Sequence, residues 1–351
     1  MAYASELMVK VWLYAYVLQV TSSRRLEQRV REDLAFRYLA GGAPPDHWTL
    51  NAFRTRQRRA LNDIFLQVVE VARGLGMARL GHVAMEATRV RGNASRRRLE
   101  TEKELRQRRA RTRREIRCWQ QQRDVADPDE EPGTQVEASY GEQLAEQLQE
   151  TQQRLRQLKK LGARQLSVTD PDSRFLHEMG GGFTLGYTVD WAVSDDHLIV
   201  AQRATQAVSD SASLVPLIEQ VERTCGARPV EVSADSGFFS VPNLQELEQR
   251  GIEGYVPDAH LTGELRQRRG PLKMAGDSPA HWRMRARLRS PAGQARYRRR
   301  QGLVEPVIGM LEEPRGLRRF RLRGLRKVGV EVARACTAFN LTRMWRLARQ
   351  A

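Results

Sequence analysis

Between residues 183 and 256 the chain alternates between short apolar runs and segments with helical spacing. The runs 183–193 and 198–204 are separated by Ser194-Asp195-Asp196, a sequence typical of a hairpin turn. The helical and strand-like segments that follow are 211–224, 229–234, 242–250 and 254–256. Such an alternation predicts strands that are covered by helices, because each element must bury its apolar face against another.

Two further strands are predicted before this stretch. Residues 165–169 form a short apolar run, and residues 82–91 contain Val83, Met85 and Val90 at strand spacing. Glu86 is an acid among the apolar neighbours of that second run. Three antiparallel strands followed by alternating helix and strand predict an α/β fold of the ribonuclease H type.

The first 76 residues have apolar residues at helical spacing, which predicts an all-helical opening domain. The turn at residues 41–46 interrupts it, and Asp46 or Thr49 can cap a following helix that carries Arg54 and Arg56. Two interpretations remain open at this point. One is a helix-turn-helix reader of DNA, and the other is a helical bundle with a solvated basic face.

Residues 95–160 are highly charged and predict a helical hairpin whose arms are divided by residues 127–133. The first arm is rich in arginine, including Arg108, Arg109 and Arg113, and this favours phosphate contact. Residues 260–300 show little regular pattern and interleave many arginines with Trp282 and Tyr297. A loop of this kind can follow a phosphate backbone and stack on an unpaired base.

These patterns predict a domain order. It is an N-terminal helical DNA-binding domain at 1–80, the first strand of the ribonuclease H-like domain at 81–94, an inserted basic hairpin at 95–163, and the remainder of the catalytic domain at 164–351 with a basic loop at about 259–300.

The charge of the chain points to a polyphosphate partner. It has 59 Lys plus Arg against 42 Asp plus Glu, a formal charge of +17. The apolar stretch 8–20 contains Lys10 and is shorter than the roughly 20 residues of a membrane helix, so a buried helix is predicted and no membrane partner. Three cysteines, far apart, offer no zinc or redox spacing and suit a cytoplasmic protein.

Carboxylates are the residues to examine for phosphodiester chemistry, because two divalent ions need several of them at one point. Asp235 ends an apolar run and precedes Ser236-Gly237, and Glu305 begins a predicted helix with Pro306 in its first turn. Asp170 and Asp172 follow another strand, where a proline-containing turn with Asx-type hydrogen bonds is favoured over a metal site. Taken singly, each of these acids can be interpreted as an ordinary cap or turn residue.

Three blocks, in order along nearly the whole chain, resemble bacterial insertion-sequence DDE transposases. They are the helical opening from SELMVKVWLYAYV to TLNAFR, the block VSADSGFFS with LQELEQRGIEGYVP, and YRRRQGLVEPVIGMLEEPRGLRRFRLRGL ending in FNLTRMW. The resemblance implies that Asp235 is the second catalytic aspartate and Glu305 the catalytic glutamate. It also implies that Tyr297 and Arg300 are the signature pair that approaches the DNA backbone.

The resemblance places the first catalytic acid on Glu86, in MEATR, where the family has aspartate. It implies that Glu86, Asp235 and Glu305 hold two Mg²⁺ (or Mn²⁺) ions, with Asp170 and Asp172 as alternative ligands. A second departure is Glu312, where the family usually has a lysine. The opening is also somewhat shorter than is usual in the family, which predicts a truncated N-terminus.

The function implied is a DNA transposase that binds the terminal inverted repeats of its element and catalyses metal-dependent nicking and strand transfer into target DNA. The resemblance further implies a homodimer on double-stranded DNA, in the cytoplasm and associated with the nucleoid. Two alternatives stay open. One is a catalytically decayed transposase that only binds DNA, and the other is a protein that coats nucleic acid through its basic segments.

Overall fold

A computed structural model describes residues 3–125, 135–177, 181–262, 278–313 and 316–350. The chain divides into two compact units. The first contains Met1–Gly92 and Phe175–Ala351, and the second contains Asn93–Arg174. Among the described residues, none of the helices combines the length and the apolar character that crossing a membrane requires.

The first unit opens with five helices. They are α1 (Ser5–Val17), α2 (Ser23–Glu32), α3 (Leu34–Leu39), α4 (His47–Arg56) and α5 (Arg58–Gly74). Asp46 begins α4, because its side chain accepts the Thr49 N–H at 2.7 Å and satisfies a donor that the helix leaves free. Trp12 and Phe36 are fully buried in the core of this bundle, and the Trp12 indole N–H donates to the carbonyl of Leu50 at 3.2 Å.

A six-stranded mixed sheet follows. Its strands are β1 (His82–Arg91), β4 (Arg174–His177), β5 (Phe183–Val193), β6 (Ile199–Thr205), β7 (Glu231–Ser233) and β8 (Glu253–Tyr255). The order is β4-β5-β1-β7-β8, with β6 also paired to β5. β5 is antiparallel to both β1 and β6, whereas β1, β7 and β8 are parallel. The predicted strand at 82–91 and the predicted hairpin around residues 194–196 are confirmed.

Helices cover this sheet, as its buried strands require. They are α8 (Leu214–Cys225), α9 (Val241–Gln249), α10 (Pro279–Arg289), α11 (Pro291–Glu312) and α12 (Leu325–Ala348). The central part of α12 is buried, and its Asn340 accepts the Ile199 N–H at 2.9 Å and donates to the Ile199 carbonyl at 2.8 Å. This side chain therefore completes hydrogen bonds that β6 would otherwise leave open.

The prediction of an irregular loop through residues 260–300 is wrong for its second half. Ala280, Met284 and Leu288 form the buried stripe of α10, but arginines between them hide the apolar period. Ser290 then caps α11, with proline at the first helical position. Glu305 was predicted at a helix start, yet it lies inside α11. Arg266, Arg268 and Arg269 of the predicted loop lie outside the described residues.

The second unit contains β2 (Leu99–Thr101), α6 (Glu102–Val125), α7 (Gln135–Leu161) and β3 (Gln165–Ser167). The strand predicted at 165–169 does not join the large sheet. It pairs antiparallel with β2 instead, because Leu166 packs with Leu105 and Leu158 in a small local core. The predicted turn at 127–133 lies outside the described residues.

Candidate active site

Glu86 lies in the middle of β1 and forms an ion pair with Arg300 of α11. The parallel register places Ala84 beside Ser233, so that Asp235, two residues further along, follows β7 at the level of Glu86. Burial raises the pKa of Glu86, Arg300 opposes this, and the negative charge of Asp235 raises the pKa further. The two acids are therefore close enough to repel each other, and the arginine lies with them.

Asp235 is held by the local backbone. It is the N-terminal cap of a 3-10 turn formed by Ser236–Phe238, and its Oδ1 accepts the Gly237 N–H at 3.0 Å. A Cβ on Gly237 would lie 2.8 Å from Oδ2 of Asp210 and 3.1 Å from Oδ1 of Asp235. A side chain at position 237 would therefore displace the Asp210 carboxylate, and glycine at this position allows the two carboxylates to approach.

That second carboxylate, Asp210, was missed by the sequence analysis. It is buried, and Arg89 of β1 forms an ion pair with it at 3.3 Å. Burial raises the pKa of Asp210, Arg89 lowers it, and Asp235 raises it. Asp210 sits in a 3-10 turn after Ser209, far from Asp235 in sequence, and nothing in its local sequence distinguishes it from an ordinary turn residue.

Tyr297 and Arg300 lie one turn apart on α11, with the guanidinium carbon 5.7 Å from the centre of the tyrosine ring. The Nε of Arg300 is buried and has no hydrogen-bond partner among the described residues. Burial raises the pKa of the Tyr297 hydroxyl, which lies near enough to Arg300, Asp235 and Glu86 to be influenced by their charges. The structure thus brings four predicted site residues together: Glu86, Asp235, Tyr297 and Arg300.

Glu305 does not join this group. It is exposed, and it follows Arg300 by five residues, which is about 140° around a helix. The nearby carbonyl of Gly302 is hydrogen-bonded to Nε2 of His197 at 3.1 Å, so this part of α11 lies beside the β5–β6 turn. No group of three His, Cys, Asp or Glu residues within the described ranges could hold a metal ion. With Arg300 paired to Glu86, the acids as arranged do not fit a site for two divalent ions.

The alternative ligands belong to the second unit. Asp170 is buried in the turn between β3 and β4, where its carbonyl accepts the Ser173 N–H at 3.0 Å. Asp172 accepts a hydrogen bond from Gln157 at 3.2 Å. These hydrogen bonds agree with the interpretation of the segment as a turn.

The arginines predicted to contact DNA fall into different environments. Arg54 is buried and donates to the Thr21 carbonyl at 3.0 Å and to Asn51 at 2.8 Å, so this guanidinium stabilises the helical bundle instead of facing solvent. Arg56 is exposed. Arg108 is paired with Glu100, whereas Arg109 and Arg113 line a groove in the second unit.

A buried line of polar groups crosses β1 and β7. His82 contacts Glu231 at 3.0 Å through Nδ1 and Ser233 at 2.8 Å through Nε2. The order Ser-His-Glu is that of a hydrolytic triad. Ser233 is fully buried, however, and no substrate could reach its hydroxyl. The line therefore satisfies polar groups inside the sheet.

Comparison with known families gives two matches. A family model described as "Transposase DDE domain" matches residues 267–345, and one described as "Transposase domain (DUF772)" matches residues 1–56. No curated protein and no solved structure matches the chain. The first match contains Tyr297, Arg300 and Glu305, whereas Glu86, Asp210 and Asp235 lie outside both matched segments.

Proposed function

We propose that this chain, whose two ends match transposase family models, is an insertion-sequence DDE transposase that binds the ends of a mobile element and cuts and joins DNA. The observation that carries this proposal is the meeting of Glu86, Asp235, Tyr297 and Arg300 just beyond the carboxyl end of β7, where β1 continues past its parallel partner. Ligands in α/β sheets usually bind at this edge. The partly buried guanidinium of Arg300 can bind the oxygens of a phosphodiester.

The strand arrangement supports a ribonuclease H-like catalytic domain. Three antiparallel strands, β6, β5 and β1, are followed by β7 and β8, which run parallel to β1 and alternate with helices. We further propose the predicted domain order, with residues 1–80 recognising the element ends, where Arg56 is an exposed cation. A homodimer on paired ends and a place at the nucleoid are also part of the proposal.

The reaction is a pair of exchanges at phosphorus. Water attacks a phosphodiester at the element end, so that a new P–O bond forms as the bond to the 3′ oxygen breaks, and this 3′ oxygen gains a proton as the water loses one. The freed 3′ hydroxyl then attacks a target phosphodiester, where a new P–O bond forms as the bond to the target's own 3′ oxygen breaks and that oxygen takes up the proton. In this scheme Arg300 and Tyr297 bind the phosphate. The phosphate therefore competes with Glu86 for the guanidinium of Arg300. Loss of that ion pair leaves Glu86 free beside Asp235.

DDE transposases generally use divalent metal ions, which can stabilise both the attacking and the leaving oxygen. Catalytic roles for Glu86, Asp235 and Glu305 are proposed on the resemblance. The arrangement described above would have to change before three acids could share an ion, so no step of the scheme is assigned to a metal.

Shortening Glu86 to aspartate tests whether the site is competent. We expect Glu86→Asp to raise the nicking rate at least about tenfold, because misplacement of a catalytic group by a bond length is costly and aspartate is the family's residue. The assay is nicking of a supercoiled plasmid with element ends, in Mg²⁺ or Mn²⁺ and in chelator. Glu100→Asp is the matched control, since Glu100 is also a glutamate in a β-strand that is paired with arginine.

The control should leave nicking unchanged. If the Glu86→Asp protein binds end-containing DNA and neither it nor the wild type nicks, the enzymatic proposal fails. The chain would then be a DNA-binding protein without catalysis.

A further inference from the structure

The second unit carries a groove between its two long helices. The groove has a volume of about 430 Å³, and five cations line it: Arg106, Arg109 and Arg113 from α6, and Arg156 and Lys159 from α7. Glu102 is the acid at its edge. Each helix presents these residues at intervals of three or four, which places them on one face. The groove is therefore positively charged on both sides.

Most of this charge is not neutralised within the protein. Glu102 binds Arg106 at 2.5 Å. Arg109, Arg113, Arg156 and Lys159 form no ion pair with any acid that the structure describes. Arg154, by contrast, is held by both Glu100 and Glu150. We name Arg109, Arg113, Arg156 and Lys159, the four groove cations without an ion pair, the basic groove.

The geometry of the basic groove suits a chain of negative charges better than one small anion. Arg109 and Arg113 are one helical turn apart, and so are Arg156 and Lys159 on the facing helix. Successive turns are separated by about 5.4 Å, so the cations form two short rows. Rows of long, flexible cationic side chains can follow consecutive phosphates of a nucleic-acid strand.

We propose that the basic groove binds the phosphate backbone of duplex DNA, through residues none of which belongs to the candidate active site. The inference rests on the proposed function, which supplies DNA as the substrate. It adds Arg156 and Lys159, which sequence patterns did not indicate, to the predicted DNA-binding residues Arg109 and Arg113. Because phosphates carry no base identity, the groove strengthens binding and positions DNA without selecting its sequence.

The test measures DNA affinity of the full-length chain as a function of salt. In the variant Arg113→Gln/Arg156→Gln, we expect the slope of log affinity against log salt to fall by nearly two, about 0.9 for each phosphate that the protein no longer neutralises. The matched control is Arg111→Gln/Arg114→Gln. These two side chains lie on α6, are exposed and do not line the groove, and Arg111 is paired with Glu115.

The control changes the net charge equally and should leave the slope near that of the wild type. A second groove variant, Arg109→Gln/Lys159→Gln, should show the same decrease. The inference is overturned if both groove variants keep the control's slope, or if they lose affinity only for an RNA duplex. A wild-type protein that binds no DNA would instead overturn the proposed function, so the two failures are distinguishable.

Discussion

Asp235→Asn should reduce nicking of end-containing DNA at least about 100-fold while DNA binding is retained. Removing one preorganised group that stabilises a transition state, such as an oxyanion-hole donor, typically costs a factor of about 10² to 10³. Asparagine keeps the size of the side chain, and its oxygen can still accept the Gly237 N–H that closes the turn. Only the negative charge beside Glu86 and Asp210 is removed. The measurement is the rate of plasmid nicking under the conditions used for Glu86→Asp.

A matched control is available elsewhere in the chain. Asp46 caps α4 in the same manner, by accepting the Thr49 N–H, but it lies in the helical bundle. Asp46→Asn makes the same chemical change at a helix start and should leave nicking within about twofold, since surface changes away from special features have small effects. Robust nicking by Asp235→Asn would show that the Asp235 carboxylate has no catalytic role.

The local sequence pattern was sufficient to predict those elements whose structure is decided by residues close to them along the chain. The strand at 82–91 and the hairpin through residues 194–196 were predicted because their apolar runs are bounded by turn residues. The strand at 165–169 was assigned to the wrong sheet, since its partner β2 is short and charged and gave no strand signal. The helix α10 was missed because arginine fills the positions between its buried residues, although Ser278 and Pro279 mark its start.

The residues of the candidate site also fall into two groups, those that could be predicted from the sequence and those that only the folded structure brings together. Glu86 and Asp235 were predicted from a resemblance, and their approach depends on the register of β1 with β7. The role of Asp210 could not be predicted, because Arg89 and Gly237, which lie against it, come from distant parts of the chain. Arg54 was predicted on the surface, and only packing shows that its guanidinium lies over the Trp12 ring, 4.8 Å from its centre.

The position of Arg300 links these observations. Two acids that face each other in a partly buried site repel, and a cation is needed between or beside them. In this structure Arg300 supplies that cation, while Arg299 and Arg296 of the same helix bind Asp195 and Glu231. The N-terminal half of α11 is thus held on the sheet by three ion pairs. Any ligand that draws Arg300 away changes the charge of the site.

Asp190 is a buried acid on β5. Replacing it by asparagine should stabilise the protein at neutral pH. Asp190 is fully buried, and Nε of Arg203 lies 3.5 Å from its Oδ2. Burial raises the pKa of Asp190 from 3.8 to about 6, an effect that Ser213 and Arg203 only partly offset.

The sign follows from proton linkage. Because the folded state holds the Asp190 proton more tightly than the unfolded chain, wild-type stability is greatest below about pH 4 for this group and falls as pH rises through about 6. A rise of this size corresponds to roughly 3 kcal/mol at pH 7. Asparagine carries no charge to bury, and so the variant should avoid most of that decrease.

Urea unfolding at pH 4 and at pH 7 measures the difference. We expect equal free energies of unfolding for wild type and Asp190→Asn at pH 4, and a variant more stable by up to about 3 kcal/mol at pH 7. Asp258→Asn should behave oppositely. Burial alone would raise the pKa of Asp258, but hydrogen bonds from Arg285 and the Leu261 N–H lower it, so losing this charge removes the carboxylate that is paired with buried Arg285 and destabilises the fold at pH 7. If Asp190→Asn instead lowers stability at pH 7, the Asp190 carboxylate is stabilised by Arg203 more than burial opposes it.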